Sequence, residues 1–226
     1  MIKAVFFDLY ETLITEWNGN QKKAVYSTDE LGLDPKVFKI EWDSRRELRM
    51  NGTFPDHPSV LRDILNSHDL SPDPDLIEKV HQQRVWAKTV PFQEMHPEVI
   101  ELLATLKEKG MKLGLISNCA QEEVFSWSTS KLAEYFDAVV FSYEEKFAKP
   151  SSEIYHIACK KLGVTPEEAI FIGDGGANEL VGATEAGLKA YHATWFLPET
   201  MSQKIKVFPK LNHPLELLDQ VELAHH

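Results

Sequence analysis

Four short stretches of this 226-residue chain carry side chains that could do chemistry together. Asp8, Tyr10 and Thr12 stand in the first, Ser117 and Asn118 in the second, Lys149 in the third, and Asp174, Asn178 and Glu179 in the fourth. Gathered in one crevice, Asp8 and Asp174 would repel, and one would hold a proton unless a cation lay between them. Carboxylate oxygens with coordination positions left for water suit Mg2+. Lys149 would add a fixed positive charge, while the Ser117 hydroxyl and nearby backbone N–H groups could hold phosphoryl oxygens. Such an inventory suits phosphoryl transfer, which needs mainly positioning and charge neutralisation.

The elements around these stretches explain how they would meet. Short apolar runs at residues 2–7, 112–116, 138–141, 169–172 and 188–192 have strand length and are bounded by Gly, Asp, Ser or Asn. They are nearly continuous rather than alternating, which suits strands buried on both faces of a parallel sheet. Helical patterns fill the gaps. Val99, Leu102, Leu103 and Leu106 share one helix face, with Gly110 where that helix would stop. Ser151 or Ser152 can cap a helix that runs to Leu162 and closes at Gly163, and residues 178–186 form a shorter helix ended by Gly187. Strand–helix alternation of this kind predicts an α/β fold, a doubly wound parallel sheet with a Rossmann-like core. In such a sheet ligands bind beyond the carboxyl ends of the strands, where the four stretches fall.

One region breaks the alternation. From Thr15 to Phe92 the pattern holds no convincing strand, only helical segments punctuated by Gly32, Asp34-Pro35, Gly52 and the run Ser71-Pro72-Asp73-Pro74. It reads as a helical insert, residues 15–92, between the two parts of an α/β core at 1–14 and 93–226. Gly19 and Pro91 are reasonable flanks for a hinge. The tail ends in a short helix at residues 214–221, followed by His225 and His226.

Composition removes several function classes. Lys and Arg number 24 against 35 Asp and Glu, a formal charge of −11, which argues against sequence-independent nucleic-acid binding. A few local cations can still attract a small anion. Two cysteines make no disulfide framework and suggest a reducing compartment. No apolar run approaches membrane-spanning length, so a soluble cytoplasmic protein is expected. No oligomeric partner is assigned.

In order along the chain, Asp8-x-Tyr10-x-Thr12-Leu13, Ile116-Ser117-Asn118, Lys149-Pro150 and Gly173-Asp174 with Glu179 resemble the four motifs of the haloacid dehalogenase superfamily. The insert resembles that superfamily's helical cap of the first type. The resemblance implies a Mg2+-dependent phosphohydrolase acting on a small phosphorylated metabolite through an aspartyl-phosphate. It implies Asp8 as nucleophile, Ser117 and Asn118 at the substrate, and Lys149 orienting Asp8 and offsetting phosphoryl charge. It further implies Mg2+ on Asp8, the Tyr10 backbone carbonyl and Asp174, with Glu179 acting through a metal-bound water.

Tyr10 departs from the phosphatase pattern, which carries a second Asp there as acid and base. With a pKa near 10, a tyrosine is a poor base at neutral pH, though a possible proton donor. Asp followed by Tyr is the pattern of the metal-independent 2-haloacid dehalogenases, whose fourth motif usually lacks its first acid. This chain keeps both Asp174 and Glu179, which favours the phosphatase over the dehalogenase and over a non-catalytic phosphate-binding member of the fold. An acid beside a bound haloacid would repel its carboxylate unless a metal were present.

Other conspicuous residues receive plain structural readings. Cys119 reads as a small buried hydrophobe. Arg45, Arg46 and Arg49 in the insert could recognise an anionic substrate from that side, but a solvated helix face is the default reading and is adopted. Trp17, Trp86, Trp127 and Trp195 read as core or cap packing, and the histidines show no metal-ligand spacing.

Overall fold

A computed structural model of the protein describes residues 1–71 and 73–223. Pro72 and the two terminal histidines lie outside the described residues. The chain opens with strand β1 (Ala4–Phe7), then a two-residue hairpin, β2 (Trp17–Asn18) and β3 (Gln21–Lys22). Helices α1 (Pro35–Ser44), α2 (Arg46–Met50), α3 (His57–Asn66), α4 (Pro74–Gln93) and α5 (Pro97–Glu108) lead to β4 (Lys112–Ser117). Then follow β5 (Ala138–Phe141), α6 (Ser142–Glu145), α7 (Ser152–Leu162), β6 (Ala169–Gly173), α8 (Glu179–Glu185) and β7 (Lys189–Ala193). The chain closes with α9 (Glu199–Ser202), β8 (Lys210–Leu211) and α10 (Glu216–Leu223).

Six strands form one parallel sheet in the order β5-β4-β1-β6-β7-β8. Counted in chain order within the sheet, that is third, second, first, fourth, fifth, sixth, the Rossmann-like order. The α/β class read from the apolar runs is the observed one. β1 is the central strand, paired with β4 on one side and β6 on the other. Its side chains alternate between two cores. Val5 and Phe7 join Leu102, Leu103 and Leu106 of α5, whereas Ala4 and Phe6 join Ile154, Tyr155 and Ala158 of α7. Burial on both faces is why the strands read as unbroken apolar runs. Each fully buried aliphatic side chain contributes about 1.5–3 kcal/mol.

The residues between β1 and β4 have an apolar cluster of their own. Leu31, Phe38, Val60, Leu61, Ile64, Ile77 and Val80 pack where α1, α3 and α4 meet. Asp34, Asp56 and Asp73 cap the three helices, each carboxylate accepting backbone N–H groups of the first turn.

Several expectations are corrected. The region from Thr15 to Phe92 does contain strands, the β2–β3 hairpin, turned at Gly19 with φ +59°. Pro91 lies inside the last turn of α4 rather than at a flank between elements. β8 adds a sixth strand, two residues long and without a readable period. Of the tryptophans, Trp127 is buried, but Trp17 is 40% and Trp86 57% exposed, so these two are not core. The arginine trio is not a solvated face either. Arg45 pairs with Glu41 and Asp63, and Arg49 is only 5% exposed; Arg46 alone faces solvent. Cys119 is buried as expected, both cysteines are free, and no described helix is long and apolar enough to cross a membrane.

Candidate active site

Three parallel strands end together, and the chain turns away from each with a polar residue. Asp8 follows β1 directly, its N–H donating to the Ile172 carbonyl of β6 at 2.8 Å. The next residues make a tight turn with Glu11 at φ +57°, locked because Leu9 and Leu13 are wholly buried. Ser117 is the last residue of β4 and is buried. Asp174 follows β6, and Glu179 opens α8 five residues later.

The turn after β6 requires glycine twice. A Cβ on Gly173 would lie 2.1 Å from Glu179 Oε1, so any side chain there would expel the carboxylate. Gly175 takes φ +89°, and its N–H donates to Glu179 Oε1 at 3.0 Å. Glu179 is thereby folded back under the turn toward Asp8.

Lys149 reaches this point from the segment before α7. Its Nζ donates to Asp8 Oδ1 and to Glu179 Oε2, each at 2.5 Å. Asn118 positions the lysine: its amide nitrogen donates to the Lys149 carbonyl at 2.8 Å, and its Oδ1 accepts the Lys149 N–H at 2.7 Å. The Asn118 side chain is thus spent on the loop. Asp8, Ser117, Lys149, Asp174 and Glu179 line one open cavity of about 180 Å³, together with Glu11, Arg46 and the Gly176–Ala177 turn.

Charge in this cavity is unbalanced. Asp8, Asp174 and Glu179 each bring an oxygen within 4.8 Å of the others, and with Glu11 the lining holds four acids against Lys149 and Arg46, a formal sum of −4 + 2 = −2. Burial pushes the Asp8 carboxyl up, with Asp174 adding to the shift and Lys149 opposing it. Glu179 is pushed well up by burial and by Asp8, again against Lys149. Lys149 is raised despite its burial, because the two carboxylates favour its charged form. An all-oxygen donor set with a formal excess of two negative charges fits a hard divalent cation. Glu179 has both oxygens engaged, by Lys149 and by the Gly175 N–H, so it suits a role through water better than direct ligation.

Tyr10 turns its side chain elsewhere. The hydroxyl donates to the Glu123 carbonyl at 2.6 Å, and the ring packs edge-on to Phe92 with Lys88 over its face at 4.7 Å. Burial first, then Glu123 and Glu16, raise its pKa well above the ordinary value. The phenol is a strut between the first turn and the loop after β4, and it offers neither a base nor a free proton at the cavity.

Of the seven residues given site roles from the sequence, Asp8, Ser117, Lys149, Asp174 and Glu179 meet at this cavity, while Tyr10 and Asn118 line it with their side-chain hydrogen bonds spent on the Glu123 carbonyl and the Lys149 loop. Sequence reading gave Glu11 and Arg46 no site role. Glu11 carried a signal in its place three residues after Asp8, and Arg46 belonged to the arginine trio that could meet an anionic substrate from the insert, a role set aside there for a solvated helix face.

A sequence model of the haloacid dehalogenase-like hydrolases matches residues 2–187, and the chain belongs to this family of hydrolases. Among curated relatives it is 29% identical to glyceraldehyde 3-phosphate phosphatase of Methanopyrus kandleri, covering 99% of each chain. It is 28% identical to pyrophosphatase PpaX of Bacillus cereus over 87% of this chain and 85% of that protein. Among solved structures, the 2-haloacid dehalogenase of Pseudomonas syringae pv. Tomato aligns with a TM-score of 0.70 at 21% identity, covering 99% of this chain and 100% of that one. A phosphatase of the same family from Thermococcus onnurineus aligns at 0.59 and 20% identity, over 97% and 98%. Both structural matches show the shared fold.

Proposed function

We propose that this protein is a cytoplasmic, Mg2+-dependent phosphatase that hydrolyses a small phosphorylated metabolite through an aspartyl-phosphate on Asp8, with residues 15–92 as a helical cap over an α/β core. The observation that carries this reading is the acidic triad of Asp8, Asp174 and Glu179 sharing a single lysine in one cavity. Such a cluster repels an anionic substrate until a cation offsets it, and a metal-independent dehalogenase has no use for that excess of acid. The relatives whose names describe phosphatases and pyrophosphatases support a phosphorylated substrate.

Asp8 and Asp174, with the Tyr10 backbone carbonyl, would hold Mg2+, and Glu179 would hold it through water. Bound there, the ion offsets the charge of the carboxylates and of the incoming phosphoryl group. Asp8 attacks phosphorus, the ester P–O bond breaks, and the leaving oxygen takes a proton from solvent because the Tyr10 hydroxyl is committed to the Glu123 carbonyl. Water then attacks the aspartyl-phosphate at phosphorus, releasing inorganic phosphate and restoring the carboxylate. Lys149 keeps the Asp8 carboxylate oriented through both steps, and the buried Ser117 hydroxyl donates to a phosphoryl oxygen.

The test is phosphate release from p-nitrophenyl phosphate with Mg2+ and with excess chelator, beside halide release from 2-haloacids. Metal-dependent phosphate release is expected, and Asp8→Asn should lower it by roughly 10⁴-fold or more. Halide release in chelator without phosphate release would sink the reading.

A further inference from the structure

A second cavity, of about 400 Å³, opens beside the first on the side of the helical insert. Arg46 and Asn118 line both, so the two are continuous at that seam. The wall of the larger one differs in charge from the protein as a whole. Its acids, Glu16, Asp43 and Glu123, are each already ion-paired to a lysine or arginine of the same wall. Arg46 and Arg49 are left over, neither within salt-bridge distance of a carboxylate among the described residues.

Arg49 is the more telling of the two. Its residue is 5% exposed, its Cζ lies 3.8 Å over the Trp42 ring, and Nη2 donates to the Trp42 carbonyl at 3.3 Å. Nε is buried without an acceptor. Nη1 has no hydrogen-bond partner among the described residues. A buried guanidinium without a carboxylate is costly to keep, and its unused donors form a planar fork suited to a carboxylate or phosphate. Burial lowers its pKa only to about 10, so it remains charged at neutral pH. Arg46, exposed and unpaired one helical turn earlier on α2, stands at the seam between this cavity and Asp8. Three residues apart, the two share one side of that short helix, and both line the larger cavity.

We infer that the larger cavity holds the leaving group of the substrate, and that this leaving group carries its own anionic function, a carboxylate or a second phosphate, bound by Arg46 and Arg49. The substrate class is thus small phosphate esters that carry a second anionic group, rather than esters of neutral alcohols. This rests on the phosphatase reading for the position of the reacting phosphate. The transferred phosphoryl group occupies the cavity of Asp8 and Lys149, which Arg49 does not line, so the arginine pair needs a second anion to engage it.

The test measures binding in the Asp8→Asn variant, so that it does not depend on turnover. Calorimetry with Mg2+ present compares glycerol 3-phosphate, whose leaving group is neutral, with 3-phosphoglycerate and glycerol 1,3-bisphosphate. At least one of the two esters with a second anionic group should bind ten-fold tighter or better, and which one does so identifies the second anion. Adding Arg46→Ala or Arg49→Met should bring the ratio of anionic to neutral affinities to within about two-fold. A merely structural Arg49 would weaken all three ligands alike and leave the ratio unchanged. Because a ratio is insensitive to the fraction of folded protein, a poorly folding Arg49→Met is still informative, and the exposed Arg46→Ala gives the same readout. Affinities for all three esters within two-fold of one another, or a ratio that survives both substitutions, overturns the inference. Failure of the wild type to release phosphate from p-nitrophenyl phosphate would instead strike the phosphatase reading, and the affinity ratios would still be read.

Discussion

Two clusters of buried charge flank the loop after β4, one around Lys149 and the other around Arg84, and their carboxylates move in opposite directions. At Lys149, one cation serves Asp8 and Glu179 with Asp174 nearby, and burial and mutual repulsion raise both buried carboxyls. At Arg84, on α4, the guanidinium bonds Glu122 at 2.7 Å and Glu123 at 2.9 Å and donates to the Tyr26 hydroxyl at 2.8 Å. Lys88, one turn on, lies 3.2 Å from Glu123 and 2.9 Å from Glu16. Glu123 is as deeply buried as Asp8, and burial alone would raise it. Lys88, Arg84 and the Ala120 N–H nevertheless hold it down to about 2. Depth therefore does not decide the sign; the number of cations and donors per carboxylate does. With two cations for three acids, against one lysine for three acids around Asp8, the cluster at Arg84 is the more balanced of the two, and it fastens α4 to the loop after β4. The unbalanced one is left short of positive charge, which a divalent cation can supply.

The largest effect expected is at the balanced cluster. Arg84→Met leaves Glu122, which is 2% exposed, with no cation within salt-bridge distance among the described residues, and it should cost about 3–5 kcal/mol in denaturant unfolding. Loss of less than 1 kcal/mol would mean that α4 is fastened mainly by its apolar contacts. Next comes the metal effect. At a hundred times its dissociation constant, Mg2+ should stabilise the wild type by about 2.7 kcal/mol. The corresponding rise in Tm should vanish in Asp174→Asn and persist in Glu123→Gln.

The pH dependence has opposite signs in the two places. Glu123 is depressed from 4.5 to about 2 on folding, so its stabilisation is present above pH 4.5 and is lost as pH falls toward 2. Asp8 is raised above 3.8, so its ionisation weakens the folded state as pH climbs through and beyond that value. Unfolding of the metal-free protein across pH 2 to 8 should show the acid limb flattened in Glu123→Gln and the decline at higher pH reduced in Asp8→Asn. The same change in both variants would dissolve the distinction. The smallest effect belongs to an exposed pair on α1. Asp43→Asn removes the ion pair to Lys39, and about 0.3–0.5 kcal/mol is expected, since water screens both ends.

Some of this was legible before any coordinates. Asp8, Ser117, Lys149, Asp174 and Glu179 could be found because each follows or flanks an apolar run, and a parallel sheet brings the ends of its strands to one edge. The five predicted strands match in place, as do the helices ended by Gly110 and Gly163, with boundaries off by a residue or two. The β2–β3 hairpin and β8 escaped because two-residue strands show no period. Asn118 and Tyr10 were placed at the right positions, but their side chains bond the Lys149 loop and the Glu123 carbonyl rather than facing a ligand.

The sequence by itself determined the fold class, the charge balance and the strand ends where chemistry collects, because period, composition and turn residues are local properties of the chain. Only the tertiary structure decided which charges meet. Arg84 finds Glu122 across 38 residues, Lys149 finds Asp8 across 141, and Arg49, on a five-residue helix with no readable period, is buried against Trp42 without a carboxylate. Those meetings are set by packing between elements far apart in the chain, and it is they that set which carboxylates are raised, which are lowered, and which cations are left over.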